Sequence, residues 1–327
     1  MTRLVLCALL LAPGCTLTYT IQPPKASALR YEAPASAARP ELADARSAKV
    51  FSEGRLKVRV EFKDAGNEIA YLQKHVVEAL EARGVQLNGA APSADALHVK
   101  VRELGVRNHR VSSFSPMVTF TRFSADVQRG TQTVRITAYS KQTKVPVWSM
   151  NELSEPCYNR PLHIVVGEVA AKLNRYFIGA RSSAAQVQSL VARSAGERGL
   201  ALVQTLQELG WSNHPDALPV LVKFASNESE EVRGAALGAI GSLGMAESLS
   251  MLQGFLVPGK SHTDRYMALK AIGDLDTPEA LEVLRELDRA GADMAMKEII
   301  RLYLEARPVS AAPPSVASAA TMLAPPP

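Results

Sequence analysis

Cysteine is close to absent: the 327 residues hold three, Cys7, Cys15 and Cys157. Three thiols cannot pair completely and no two stand at metal-ligand spacing, which argues against a disulfide framework and against a metal site. Aromatic residues are scarce too, at 6%. Alanine and leucine carry much of the apolar content instead, which favours helices packed through small side chains over an aromatic-rich β-sandwich. Catalytic signatures are missing as well. No GxSxG, HExxH, P-loop or GxGxxG occurs, the motifs that present a nucleophile, hold zinc or cradle phosphate. His75, His98, His109 and His163 are scattered, and no nucleophile stands beside a base. The expectation is a chain that is no enzyme, with no catalytic residue, no cofactor, no metal and no small-molecule substrate. The net charge of +5 is not gathered into a Lys/Arg run, so no nucleic-acid partner is expected either.

A long hydrophobic run is also lacking at the start. Leu4 to Gly14 is apolar but well short of the roughly 20 residues that span a bilayer as a helix. Its length, with Arg3 before it, fits the hydrophobic region of a signal peptide. "LLLAPGC" resembles a bacterial lipobox, with Ala12, Pro13 and Gly14 before Cys15 and with Leu11 one place further back than usual. The resemblance implies that residues 1–14 are a leader and that the Cys15 thiol receives diacylglycerol, with a further acyl chain on the freed amine. Two or three chains anchor stably where one does not. A membrane-anchored lipoprotein facing the periplasm is expected, and Thr16, where an inner-membrane retention signal has Asp, favours the outer membrane. Residues 15–50, rich in Ala, Pro and Ser without apolar periodicity, read as a tether. Residues 307–327, "PVSAAPPSVASAATMLAPPP" and its neighbour, read as a disordered tail.

Between these lie two folded units, and their charges differ. Residues 51–181 hold 19 Lys and Arg against 12 Asp and Glu, a balance of +7. Residues 182–306 hold 11 against 17, a balance of −6. The opposite signs leave two readings open: the units dock on each other, or the second binds a basic partner. The first unit alternates apolar and polar residues at Leu56–Phe62, Leu97–Val101, "VTFTRFSADVQ" and "TVRITAYSKQTK", the last with a turn at Lys141–Lys144. Helical spacing appears at Ile69, Leu72, Val76, Val77 and Leu80, with Asn67 as N-cap and Gly84 beyond the last turn, and again across "LHIVVGEVAAKLNRYFIG". The pattern predicts a small α/β sandwich, a mixed or antiparallel sheet with two helices on one face. It resembles the periplasmic α/β domains of curli-assembly and Tol-type envelope lipoproteins, which implies an accessory or assembly role. Arg102, Arg107 and Arg110 precede a Ser-rich stretch. They read as part of a solvated hairpin, or as a contact for an anionic envelope component. Cys157 reads as a small buried hydrophobe.

The second unit repeats itself. Arg233, Ala236, Leu237, Ile240, Gly241 and Leu243 recur 32 positions later as Arg265, Ala268, Leu269, Ile272, Gly273 and Leu275. In the preceding helices Leu218 and Leu221 recur as Leu249 and Leu252, then as Leu281 and Leu284. Three or four helix pairs follow, enough to stack around a continuous core formed by these ten Leu and Ile positions of 218–284. "VRGAALGAIGSLG" and "DRYMALKAIGDLD" resemble the second helix of short bacterial HEAT-like repeats of the PBS-lyase type. The fold class expected for the whole chain is therefore α+β, a sheet domain followed by an all-α solenoid. The resemblance implies a scaffold or assembly factor that binds a protein partner in the envelope. The rival readings are an accessory lipoprotein of an envelope transport or secretion complex, and an enzyme of unknown reaction. Each folded unit is expected to fold alone.

Overall fold

The stretch expected to be a tether is folded. A computed structural model describes residues 17–32, 35–54, 58–89, 96–112, 114–144 and 147–305. The leader, Cys15 and the tail lie outside the described residues. Strands β1 (Leu17–Ile21), β2 (Ala35–Ala38) and β3 (Pro40–Asp44) all fall inside the presumed spacer. They are followed by β4 (Ser52–Gly54), β5 (Val58–Phe62), α1 (Glu68–Ala82) and β6 (Val85–Asn88). Strand β1 pairs in parallel with β5, and β2 with β6. These short strands add through backbone bonds, so "ASAA" needs no apolar alternation of its own to become β2. Composition hid them for that reason.

Three strands of 13 residues each make the main sheet: β7 (Leu97–His109), β8 (Met117–Arg129) and β9 (Gln132–Lys144). They form two antiparallel hairpins, and β3 and β4 pair in parallel with the two halves of β7. The β7–β8 ladder slips between Val101 and Glu103. A slip of this kind changes which residues face inward: the buried set is Leu97, Val99 and Val101 before it, and Leu104 and Val106 after it. The turn expected at Lys141–Lys144 does not form, and β9 runs straight through it. Lys141 donates to Thr263 Oγ1 at 2.6 Å and stacks over the Tyr266 ring, so this polar run has packing partners that the sequence pattern could not announce. Helix α1 and the closing helix α2 (Arg160–Leu173) pack on each other and cover one face of the sheet. Asn67 caps α1 through Ala70 N, as its position in the sequence implies.

The second half is a stack of helix pairs: α3 (Ala184–Gly196) with α4 (Gly199–Trp211), α5 (Leu218–Phe224) with α6 (Glu230–Leu243), α7 (Leu249–Gln253) with α8 (His262–Leu275), and α9 (Pro278–Arg289) with α10 (Met294–Leu304). Ser229, Ser261 and Asp293 cap three successive second helices. Gly244 and Asp276 end α6 and α8 in the left-handed conformation. The second helices form one layer, α4 on α6 on α8 on α10.

Glycine sets how closely these helices approach. A methyl on Gly210 would stand 2.6 Å from Ala239 Cα, one on Gly241 2.6 Å from Ala271 Cα, and one on Gly273 2.7 Å from the Tyr303 ring. Gly210, Gly241 and Gly273 thus repeat a single contact along the stack. Gly241→Ala is expected to cost about 1–3 kcal/mol, because backbone cannot swing aside. Gly196→Ala, with open space around it, should be neutral or gain up to about 1 kcal/mol from helix propensity. Urea midpoints of the two variants check this, and equal shifts would contradict it.

Candidate functional site at the sheet–solenoid junction

The layer of second helices is covered by the chain's own sheet unit. At the centre of this contact lie four charged side chains, each side chain at most 4% exposed. Glu168 and Lys172 come from α2, and Lys270 and Asp274 from α8. Lys172 Nζ stands 2.6 Å from Glu168 Oε1 and 2.5 Å from Asp274 Oδ1. Lys270 Nζ stands 2.5 Å from Glu168 Oε1 and 2.7 Å from Asp274 Oδ2. Two further bonds reach the quartet: Lys172 donates to Thr137 O of β9, and Tyr303 OH of α10 donates to Asp274 Oδ1 at 2.7 Å. With both lysines protonated and both carboxylates ionised the quartet is neutral; burial lowers the Lys172 amine, against the pull of Asp274 and Glu168. Burial alone would raise the Asp274 carboxyl, but the two ammonium groups hold it well below the usual carboxylate range. For Lys270, burial opposes the charge and the Asp274 and Glu168 carboxylates outweigh it, raising its pKa. Burial raises the Tyr303 hydroxyl well above the ordinary tyrosine value, with Asp274 adding to the effect.

Four further ties join the halves. Arg83, after α1, lies over the Trp211 ring with 5.0 Å to its centroid and donates to Gly167 O. Gly167 is required there: a methyl on it would stand 2.4 Å from the Trp211 ring. Arg175, just past α2, donates to Gly241 O and Ser242 O at the end of α6 and to Asp274 O at the end of α8. One guanidinium thereby caps carbonyl ends of two neighbouring solenoid helices. The segment 22–32 straps across both units. Ser27 Oγ donates to Glu208 Oε1 at 2.6 Å, Arg30 N donates to Gln186 Oε1, and Tyr31 OH donates to Trp211 O, with Leu29 fully buried. The outer residues of the sheet contribute ion pairs to α10: Arg107 grips both Glu298 oxygens, and Arg301 reaches Glu103. Of the two readings left open by the charges, docking of the units is what the structure contains. Separating the units would keep the pairs Glu168–Lys172 and Lys270–Asp274 and break the pairs Lys172–Asp274 and Lys270–Glu168.

A cleft of about 70 Å³ adjoins the quartet, between β9, α2, α6 and α8, and includes Lys141, Gly238, Met267 and Lys270 in its lining. It is far smaller than the roughly 300–1,000 Å³ of typical small-molecule sites. The arginines singled out in the sequence do not converge. Arg102 pairs with Asp126 at 2.8 Å, Arg107 with Glu298, and Arg110 Nε donates to Ser115 O. An anion-binding cluster of Arg102, Arg107 and Arg110 is therefore not formed, since two of the three charges are already answered by carboxylates. Cys157 is 1% exposed, and burial raises its thiol. Leu221, Leu237, Ile240, Leu252, Leu269, Ile272 and Leu284 are fully buried, Leu281 is nearly so, and Leu218 and Leu249 are half-buried against the same core. Among the described residues no group of three or more His, Cys, Asp or Glu is placed to hold a metal. None of their helices is long and apolar enough to cross a membrane.

Sequence reasoning missed the quartet. A signal was present: Glu168–Lys172 and Lys270–Asp274 are each spaced i,i+4 inside apolar helical stripes, where a solvated pair has no place. The family comparisons agree with the helix pairs. Residues 180–260 match the family of HEAT repeats, and residues 264–288 match the PBS lyase HEAT-like repeat. No curated protein matches the chain. The C-terminal half thus carries HEAT-like repeats, a class that commonly serves as a protein-interaction scaffold.

Proposed function

We propose that this chain is a lipid-anchored scaffold of the cell envelope that binds a protein partner through the first-helix layer of its solenoid. The carrying observation is that the second-helix layer is occupied by the sheet unit, which leaves α5, α7 and α9 as the open face. In and just before those helices the exposed acids are Asp216, Glu247, Glu279, Glu282, Glu286 and Asp288, and the exposed bases are Lys223, Arg285 and Arg289. Six against three favours a partner with a basic surface. The lipobox-like junction at Cys15 supports anchoring, with the folded units facing the periplasm and the outer membrane preferred.

Two experiments test the two parts. A photoreactive residue at Val222 or Glu282 should crosslink one discrete partner in intact cells, and the same residue at Glu61 on the sheet unit should not. Glu282→Lys with Glu286→Lys should reduce that product at least several-fold. Identical products from Val222 and Glu61 would reject the first-helix face. For the anchor, Cys15→Ser should abolish lipid labelling and leave uncleaved precursor or a soluble form. Unchanged membrane partitioning, with no acyl mass on the wild-type N-terminal peptide, would reject it.

A further inference from the structure

One end of the sheet unit exposes large apolar side chains that its core does not use. Phe114 is 98% exposed, Trp148 82%, Val111 70% and Met150 40%. The strand register brings them to a common end. Val111 and Phe114 lie in the β7–β8 turn, just beyond the Val118–His109 pair. Met117 pairs with Lys144, the last residue of β9, and Trp148 and Met150 follow a few residues later. Arg110 and Lys144 flank this end in sequence, as do Glu152, 3.4 Å from Lys144, and the exposed Glu53 and Glu155.

The beginning of β1 lies at the same end. Strand β4 runs toward it and stops at Gly54, beside Asn108. After a short connection β5 starts at Val58, with Leu17 of β1 alongside. Tyr19 OH donates to Met150 O, and the Tyr19 ring packs on Tyr158, whose hydroxyl contacts Ser52 and Asn108. Cys15 precedes Leu17 by two residues, at most about 7 Å of chain. An acyl group on Cys15 would therefore enter the bilayer close to Trp148 and Met150.

We infer that this end of the sheet unit is a second membrane contact, with Trp148 and Phe114 seated in the headgroup layer of the bilayer that holds acylated Cys15. The inference rests on the lipid anchor proposed above. Trp suits the site because its ring is apolar and its N–H is polar, the combination enriched at membrane–water interfaces. Short protruding turns with exposed apolar side chains fit a soft interfacial surface. The contact would hold the domain at a fixed attitude to the membrane.

Trp148 is one of only two tryptophans in the chain, so it reports on its own surroundings. The lipidated full-length protein is placed in phosphatidylethanolamine–phosphatidylglycerol vesicles with brominated acyl chains, beside its Trp148→Phe variant, which leaves Trp211 in place. The difference in emission isolates Trp148. It should be blue-shifted and quenched about two-fold or more relative to unbrominated vesicles, and Phe114→Ser should lessen the quenching. Protein that floats with the vesicles while Trp148 is unquenched would overturn the contact and leave the anchor standing. Protein without acyl mass that still shows Trp148 quenching would uphold the contact and overturn the anchor. Loss of both signals would overturn both.

Discussion

Asp274→Asn is expected to destabilise the full-length protein by about 3–5 kcal/mol, the usual consequence of removing one partner from a buried ion pair. The change leaves Lys172 and Lys270 facing Glu168 alone, and all three remain out of water. It also replaces the acceptor of Tyr303 OH and Thr137 Oγ1. Because the quartet takes two members from each half, the wild type should melt in one cooperative transition, and the variant in one transition shifted to lower denaturant. The effect should depend on pH with a definite sign. Asp274 has its folded pKa held below the ordinary 3.8, so its contribution is fully present above that value and is lost as pH falls through the lower, folded value. The gap between wild type and variant should stay constant from neutral pH down to about 5 and narrow below about 4. A loss under about 1 kcal/mol, or two separate transitions in the wild type, would show that the quartet does not join the halves.

The division into a sheet unit and a helical repeat unit was legible because each rests on one period. Leu97, Val99 and Val101 alternate, and Leu237, Ile240, Leu269 and Ile272 recur at 32 residues. What the periods could not convey is where the polar side of each element goes. Arg122, Ser124 and Asp126 of β8, with Arg135, Thr137 and Lys141 of β9, form the polar half of two amphipathic strands. That pattern ordinarily means a solvated face. Here they meet α8 and α10: Arg122 meets Glu298, Ser124 meets Leu302 O, Arg135 meets Glu305 O, and Thr137 meets Asp274. A polar surface that docks on another polar surface has the same sequence signature as one that meets water.

The strap was hidden by the opposite circumstance. Residues 22–32 lack periodicity and carry Pro and Ala, which describes a spacer well. The segment is held by two buried anchors, Leu29 and Tyr31, and by side chains of distant helices that satisfy its backbone. Such bonds leave no local pattern. The glycine row lies between these cases. The recurrence of Gly241 as Gly273 is visible in the alignment of repeats, but only the contact distances show that the helices approach most closely at Gly210, Gly241 and Gly273.

Leu269→Ala is expected to cost about 2–5 kcal/mol, and Leu237→Ala a similar amount, because both side chains are fully buried in neighbouring repeats. The arginines that repeat beside them should not behave alike, although the sequence places them in equivalent positions. Arg233 Nε donates to both Asp264 oxygens, at 3.0 and 3.1 Å, and its Nη1 donates to Asn227 O and Glu228 O. The Asp264 side chain is only 6% exposed. Arg233→Ala would leave that carboxylate unanswered in a buried position, so about 2–3 kcal/mol is expected, well beyond an exposed ion pair. Arg265 instead reaches the Met296 sulfur, and Arg265→Ala should cost no more than about 1 kcal/mol. Urea melts of the four single variants give the order directly: the leucines at or above Arg233, and Arg233 well above Arg265. Equal losses at the two arginines would remove Asp264 as the cause. Small losses at both leucines would mean that the repeat register does not direct these positions into the solenoid core.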